Sequence, residues 1–70
     1  MKIVFTKHAL KRMKERAIKE EWVRETIEIP DYTVSREGTV ESNKKIENNT
    51  LKVIYNKKHN FIKIISVMWR

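Results

Sequence analysis

The hydrophobic period of this chain changes once, at Pro30, and that change constrains its fold more than any other feature. Before Pro30, apolar residues recur every three or four positions, as on one face of a helix. After it, they alternate with polar residues, as on a half-buried strand. The helical part holds two stripes. Ala9, Leu10, Met13 and Ala17 form the first, and Ile18, Trp22, Val23, Thr26, Ile27 and Ile29 the second. On one continuous helix these stripes would point in nearly opposite directions, and one small core cannot cover both. A turn near Ala17–Lys19 brings them to the same side. The spacing therefore predicts two helices, over 7–16 and 19–28, the second ending before Pro30. Thr6 supplies an N-cap oxygen for the first, without the Glu or Gln three residues later that completes a capping box.

The alternating part predicts strands. Tyr32 and Val34 alternate with Thr33 and Ser35 in a strand reaching Arg36, and Gly38, the only glycine, marks a turn. Val40 to Glu47 is polar, with a short strand expected at Lys44–Glu47 and a tight turn at Asn48-Asn49. Leu51, Val53 and Tyr55 define a clear strand, and Asn56 to Asn60 a basic hairpin loop. Under strict alternation Phe61 to Trp69 is apolar on both faces. Phe61, Ile65, Val67 and Trp69 fall on one, and Ile62, Ile64 and Met68 on the other, with Ser66 as the polar break. Such a strand is central or has its second face covered by a partner. Lys2–Phe5 is β-prone and reads as a short first strand. The expectation is one α+β domain over 1–70. A short N-terminal strand and a two-helix hairpin pack on one face of a three- to four-stranded antiparallel sheet, and the other face is open, partly polar and basic.

Composition narrows the chemistry. A chain of 70 residues buries only about 60% of its unfolded surface, so its core is small. It has no cysteine, hence no disulfide and no thiolate metal site. Its two histidines lie far apart, and no His/Asp/Glu group has metal-ligand spacing, so no metal or cofactor is expected. Met1 to Phe5 is too short for a signal peptide, and no run approaches the ~18 apolar residues of a membrane span. A cytoplasmic protein with no membrane contact is expected. The net charge of +7 is unevenly spread: +5 over residues 1–16, −4 over 17–42 and +6 over 43–70. If the two basic ends meet in space they make one basic face, which fits a polyanion such as RNA.

His8, Arg12 and Arg16 recur every four residues and form a row on the flank of the first apolar stripe. This row carries the main candidate chemistry. His8 is a side chain suited to general acid/base work near neutral pH, and Arg12 and Arg16 can hold phosphate bidentately. The plainer reading of His8 is a first-turn side chain that packs or hydrogen-bonds locally, and Glu15 stands where it can neutralise Arg12 or Lys11. Ser66, the polar break in the last strand, is a further catalytic candidate. Lys7, Lys11, Arg16, Arg36, Lys57, Lys58 and Arg70 are candidates for nucleic-acid contact. Trp22 and Trp69 lie on apolar faces and read as core rather than base-stacking residues.

The segment Phe5-Thr6-x-His8-Ala9-x-x-Arg12-Met13-x-x-Arg16-x-Ile18, followed by Val23 and a proline, resembles the opening of a family of small prokaryotic domains known as domain of unknown function 4258. The Leu51-x-Val53-Ile54-Tyr55 strand and the Ile-rich last strand suit it too, so the resemblance covers nearly the whole chain. The chain departs from the family pattern at Ala17, where glycine is usual, and at Lys19, where a capping residue is usual. The family has been grouped by fold with barnase-, EndoU-, colicin- and RelE-type ribonucleases, many of them toxins of toxin–antitoxin pairs. The resemblance implies a RelE-like domain and metal-independent ribonuclease activity, with an acidic antitoxin-like protein as partner. His8 would be the acid/base, and Arg12, Arg16 and either Arg36 or Arg70 would hold phosphate. The alternative, from charge alone, is a non-catalytic basic module that binds nucleic acid or protein, including a homodimer formed through the last strand.

Overall fold

A computed structural model of the chain describes residues 2–70. Met1, and with it the start of the Met1–Phe5 segment, lies outside the described residues. The order is β1 (Lys2–Phe5), α1 (Lys7–Glu15), α2 (Glu20–Glu28), β2 (Tyr32–Arg36), β3 (Thr39–Ile46), β4 (Asn49–Lys57) and β5 (Phe61–Trp69). The class is α+β, with both helices on one face of the sheet. The sheet has five strands, not three or four, in the order β1-β5-β4-β3-β2. It is mixed rather than antiparallel, because β1 pairs parallel with β5 while every other pair is antiparallel. The helix pair supplies the crossover that parallel pairing with β1 requires.

The helices form where the spacing places them. Thr6 caps α1 by accepting the Ala9 N–H at 3.0 Å. The helix ends in a Schellman motif: Ile18 N–H donates to the Met13 carbonyl at 2.9 Å and Ala17 N–H to the Lys14 carbonyl at 3.4 Å. Ala17 takes the left-handed conformation this motif needs, at φ 52°. Ile18 and Met13, the apolar pair that accompanies the motif, are both buried in the core. Leu10 does not follow its stripe inward and is half exposed, and Ile29 is exposed. α2 has no side-chain cap at Lys19 and no basic residue in its last turn. Lys44 of β3 supplies that charge, donating from Nζ to the Ile29 carbonyl at 2.9 Å with Glu25 and Asp31 carboxylates within 4 Å.

The strand register corrects three expectations. β3 starts at Thr39, well before Lys44, because pairing with β2 and β4 on both sides outweighs its polar sequence. The turn after it is Glu47-Asn48, with Glu47 at φ 57°, so Asn49 already belongs to β4. In β5 a bulge breaks the alternation: Tyr55 pairs with Ile64 and Ile54 with Ser66, which leaves Ile65 without a partner on β4. Ile62 and Ile64 before it, and Val67 and Trp69 after it, therefore share the helix face with Leu51, Val53 and Tyr55. The strand buries one apolar face, not two, which removes most of the ground for expecting a second copy on the other. Trp69 meets Trp22 edge-to-face at 5.8 Å, closing the core between β5 and α2.

Candidate nucleic-acid interface

Two surfaces carry polar chemistry. The first is the outer flank of α1. Beyond Ile64, β5 has no β1 neighbour, and α1 runs beside that unpaired edge. Thr6 N–H donates to the Ile64 carbonyl at 3.4 Å near the start of the helix. At its end Arg16 Nη1 donates to the Val67 carbonyl at 2.8 Å, and Trp69 Nε1 donates to the Arg16 carbonyl at 3.1 Å. The row His8, Arg12, Arg16 thus follows this edge by helical spacing. Arg12 donates to Glu15 at 2.9 Å, and this contact holds the Glu15 carboxyl below the ordinary glutamate range. His8 is exposed and makes no side-chain hydrogen bond among the described residues.

The second surface is the sheet face turned away from the helices. Register places on it Lys2 and Val4 of β1, Phe61, Lys63, Ser66 and Met68 of β5, Lys52, Ile54 and Asn56 of β4, Glu41, Asn43 and Lys45 of β3, and Tyr32, Val34 and Arg36 of β2. The Arg70 backbone N–H donates to the Thr50 carbonyl at 2.8 Å and extends β5 by one residue. Its side chain crosses this face to β3 and β2. Arg70 Nη1 donates to Asn43 Oδ1 at 3.2 Å and to the Tyr32 hydroxyl, with the guanidinium 5.9 Å from the Tyr32 ring centre. Asn43 Nδ2 donates to Glu41 Oε2 at 3.2 Å. At the β1 end, Lys2, Val4, Asn60 and Phe61 line a shallow hollow of about 400 Å³. Cations outnumber carboxylates on this face, whereas Glu20, Glu21, Glu25 and Glu28 lie on α2, on the opposite side of the sheet. Among the described residues no group of His, Cys, Asp or Glu is placed to hold a metal, and no helix is long and apolar enough to cross a membrane.

A family model for a domain of unknown function, DUF4258, matches residues 5–69, nearly the whole chain. The chain belongs to the DUF4258 family. No curated protein and no solved structure matches it.

The structure divides the residues that the sequence of this DUF4258 domain singles out. His8, Arg12 and Arg16, with exposed Lys7 and Lys11, stay together on α1. Ser66 lies at the β5 bulge, one residue from the carbonyl that Arg16 holds. Arg36 sits at the end of β2 remote from Tyr32, about 13 Å away at 3.3 Å per residue. Lys57 and Lys58 lie at the β4–β5 turn, also far from Arg70 along the strands. Sequence reading missed Tyr32, Glu41 and Asn43. Asn43 looks like a polar residue in a polar stretch, and only the register shows that it is fully buried on an otherwise open face. Trp22 and Trp69 are half-buried core-edge residues.

Proposed function

We propose that this domain binds RNA, with the uncovered face of its sheet as the binding surface. The observation that carries the reading is the segregation of charge. Lys2, Lys45, Lys52, Lys63, Arg36 and Arg70 share one face with Glu41, while the carboxylates of α2 lie behind the sheet. A duplex or strand of phosphates meets attraction on one side of the molecule and repulsion on the other. Phe61 and Tyr32 offer aromatic rings among these cations on which unpaired bases can stack, and Met68 and Ile54 add apolar contact beside them. An acidic antitoxin-like protein would use the same face, and a cytoplasmic setting belongs to the same reading.

Metal-independent ribonuclease chemistry of RelE type is the second form of this proposal. The exposed, unpaired His8 imidazole at the first turn of α1 favours it, since such a side chain is free to meet a 2′-hydroxyl. In this form Arg12 would exchange Glu15, and Arg16 the Val67 carbonyl, for phosphate oxygens, with Ser66 at the same strand edge but on the other sheet face. The test is RNA binding by fluorescence anisotropy across a salt series, with RNA integrity followed in chelator for wild type and His8→Ala. Salt-dependent binding without cleavage supports the binding form. Chelator-resistant cleavage abolished in a folded His8→Ala protein supports the ribonuclease form. Absence of binding and of cleavage rejects both.

A further inference from the structure

We infer that Arg70, Asn43 and Tyr32 form a phosphate-binding subsite on the open sheet face, with Arg70 as the contact residue and Glu41 and Asn43 as positioning residues. For its ligand, an RNA phosphodiester, the inference rests on the RNA reading; its geometry does not.

The unusual member is Asn43. It is fully buried, yet register puts it on the face no helix covers. Burying an amide is unfavourable unless its donors and acceptor are met. Here one Nδ2 donor and the Oδ1 acceptor are met in a directional chain. Glu41 takes the Nδ2 donor, which fixes the amide so that Oδ1 points to Arg70. Arg70 Nη1 is shared between that oxygen and the Tyr32 hydroxyl. The ring of Tyr32 lies beneath the guanidinium, and Arg70 N–H is tied to β4. A long side chain that would otherwise sample many rotamers is thus held at three points across two strands.

The remaining donors of the guanidinium have no partner among the described residues, and the side chain is exposed. An arginine oriented through one nitrogen with its other N–H groups open to solvent is arranged for a planar, two-oxygen anion. Lys52 and Lys45, the same-face neighbours of Asn43 and Thr50 in register, add positive charge beside it. Phosphate is favoured over carboxylate as the occupant because the surrounding face is a run of cations, which suits a repeating anion rather than a single one. The ordering entropy of Arg70 is already met in the free protein, so little of it opposes binding.

The experiment combines two probes on the full chain. Inorganic phosphate is titrated while the Arg70 Nε–Hε NMR signal is followed, and a short fluorescent oligouridylate is titrated across a salt series. In wild type, phosphate shifts the Arg70 signal. Arg70→Gln weakens oligouridylate binding roughly ten- to thirtyfold near ~0.1 M salt, and reduces the slope of log K against log salt by about 0.7. Asn43→Ala keeps the charge count, so it weakens binding roughly three- to tenfold with the slope unchanged and makes the Arg70 signal insensitive to phosphate. Tyr32→Phe removes one exposed hydroxyl and gives the same pattern at two- to threefold, which covers the case in which Asn43→Ala fails to fold. If RNA binds and Arg70→Gln changes neither affinity nor slope, the subsite is overturned and the RNA reading stands. If RNA does not bind but phosphate shifts Arg70 in wild type and not in Tyr32→Phe, the subsite stands and the RNA reading falls. If neither probe responds, both fall.

Discussion

Ala17 holds the turn between the helices in a conformation that suits it poorly. At φ 52° its methyl crowds the following carbonyl, at a cost of roughly 1 kcal/mol relative to a residue without Cβ. The Schellman hydrogen bonds and the buried Ile18–Met13 pair keep it there. Ala17 is exposed, so the methyl contributes no packing in return. Ala17→Gly is therefore expected to stabilise the domain by about 0.5–1 kcal/mol and to raise its thermal midpoint by roughly 3–6 °C. Thermal denaturation followed by circular dichroism checks this, and an unchanged or lower midpoint would mean that the unfolded chain's gain in freedom outweighs the relief of strain. This turn was legible only indirectly: neither Ala17 nor Lys19 signals a helix end, and the two apolar stripes did. Arg70 was legible as a candidate phosphate contact, but its grouping with Asn43 and Tyr32 was not. Those two lie 27 and 38 residues from Arg70 and meet it only through strand register.

The strands show which elements a local pattern can and cannot reveal. β4 reads plainly because Leu51, Val53 and Tyr55 alternate without interruption. β3 is obscured because its core-facing positions include Ser42 and Lys44, whose roles are set by neighbours. Lys44 provides the C-terminal cation that α2 lacks, so Lys44→Ala is expected to lower stability by about 1–2 kcal/mol, measured as a shift of the urea midpoint at unchanged slope. In β5 strict alternation fails at one residue. Deleting Ile65 removes the one residue without a partner on β4 and leaves Ile64, Ser66 and Val67 opposite Tyr55, Ile54 and Val53, so the alternation runs unbroken with Val67 and Trp69 still on the helix face. The expected outcome is that the cooperative thermal transition survives, with its midpoint lowered only by the loss of the half-buried Ile65 side chain. Loss of that transition would show that the fold depends on the extra residue itself, through the local twist that a bulge gives its strand. The parallel position of β1 has no local signature either, since it depends on where the helix pair returns the chain.

At the scale of the whole molecule, net charge and charge placement make different predictions. The principal extents are 33, 25 and 20 Å, and the helices occupy one side of the sheet. Even the shortest extent exceeds the Debye length of about 10 Å at 0.1 M salt, so carboxylates on α2 are largely screened from a ligand on the outer sheet face. Glu21 and Glu28 have no ion-pair partner among the described residues, so replacing them removes charge without breaking a contact. Glu21→Gln with Glu28→Gln raises the net charge by two, yet near 0.1 M salt the affinity for single-stranded RNA is expected to change less than about twofold. Near 0.01 M, where the Debye length reaches about 30 Å, the same variant is expected to bind tighter than wild type. Lys52→Gln with Lys63→Gln lowers the charge by the same amount on the other face. This variant is expected to lose affinity at both salt concentrations and to reduce the salt slope by about 1.4, one released counterion per lysine on a single strand. Anisotropy titrations of the three proteins side by side separate the two accounts. Equal and opposite effects of the pairs at 0.1 M would show that RNA responds to the total charge of the domain and that the open sheet face has no special claim on it. Effects confined to the lysine pair at 0.1 M would place the ligand on the sheet face, and appearance of the glutamate effect only at low salt would measure how far its field extends through the fold.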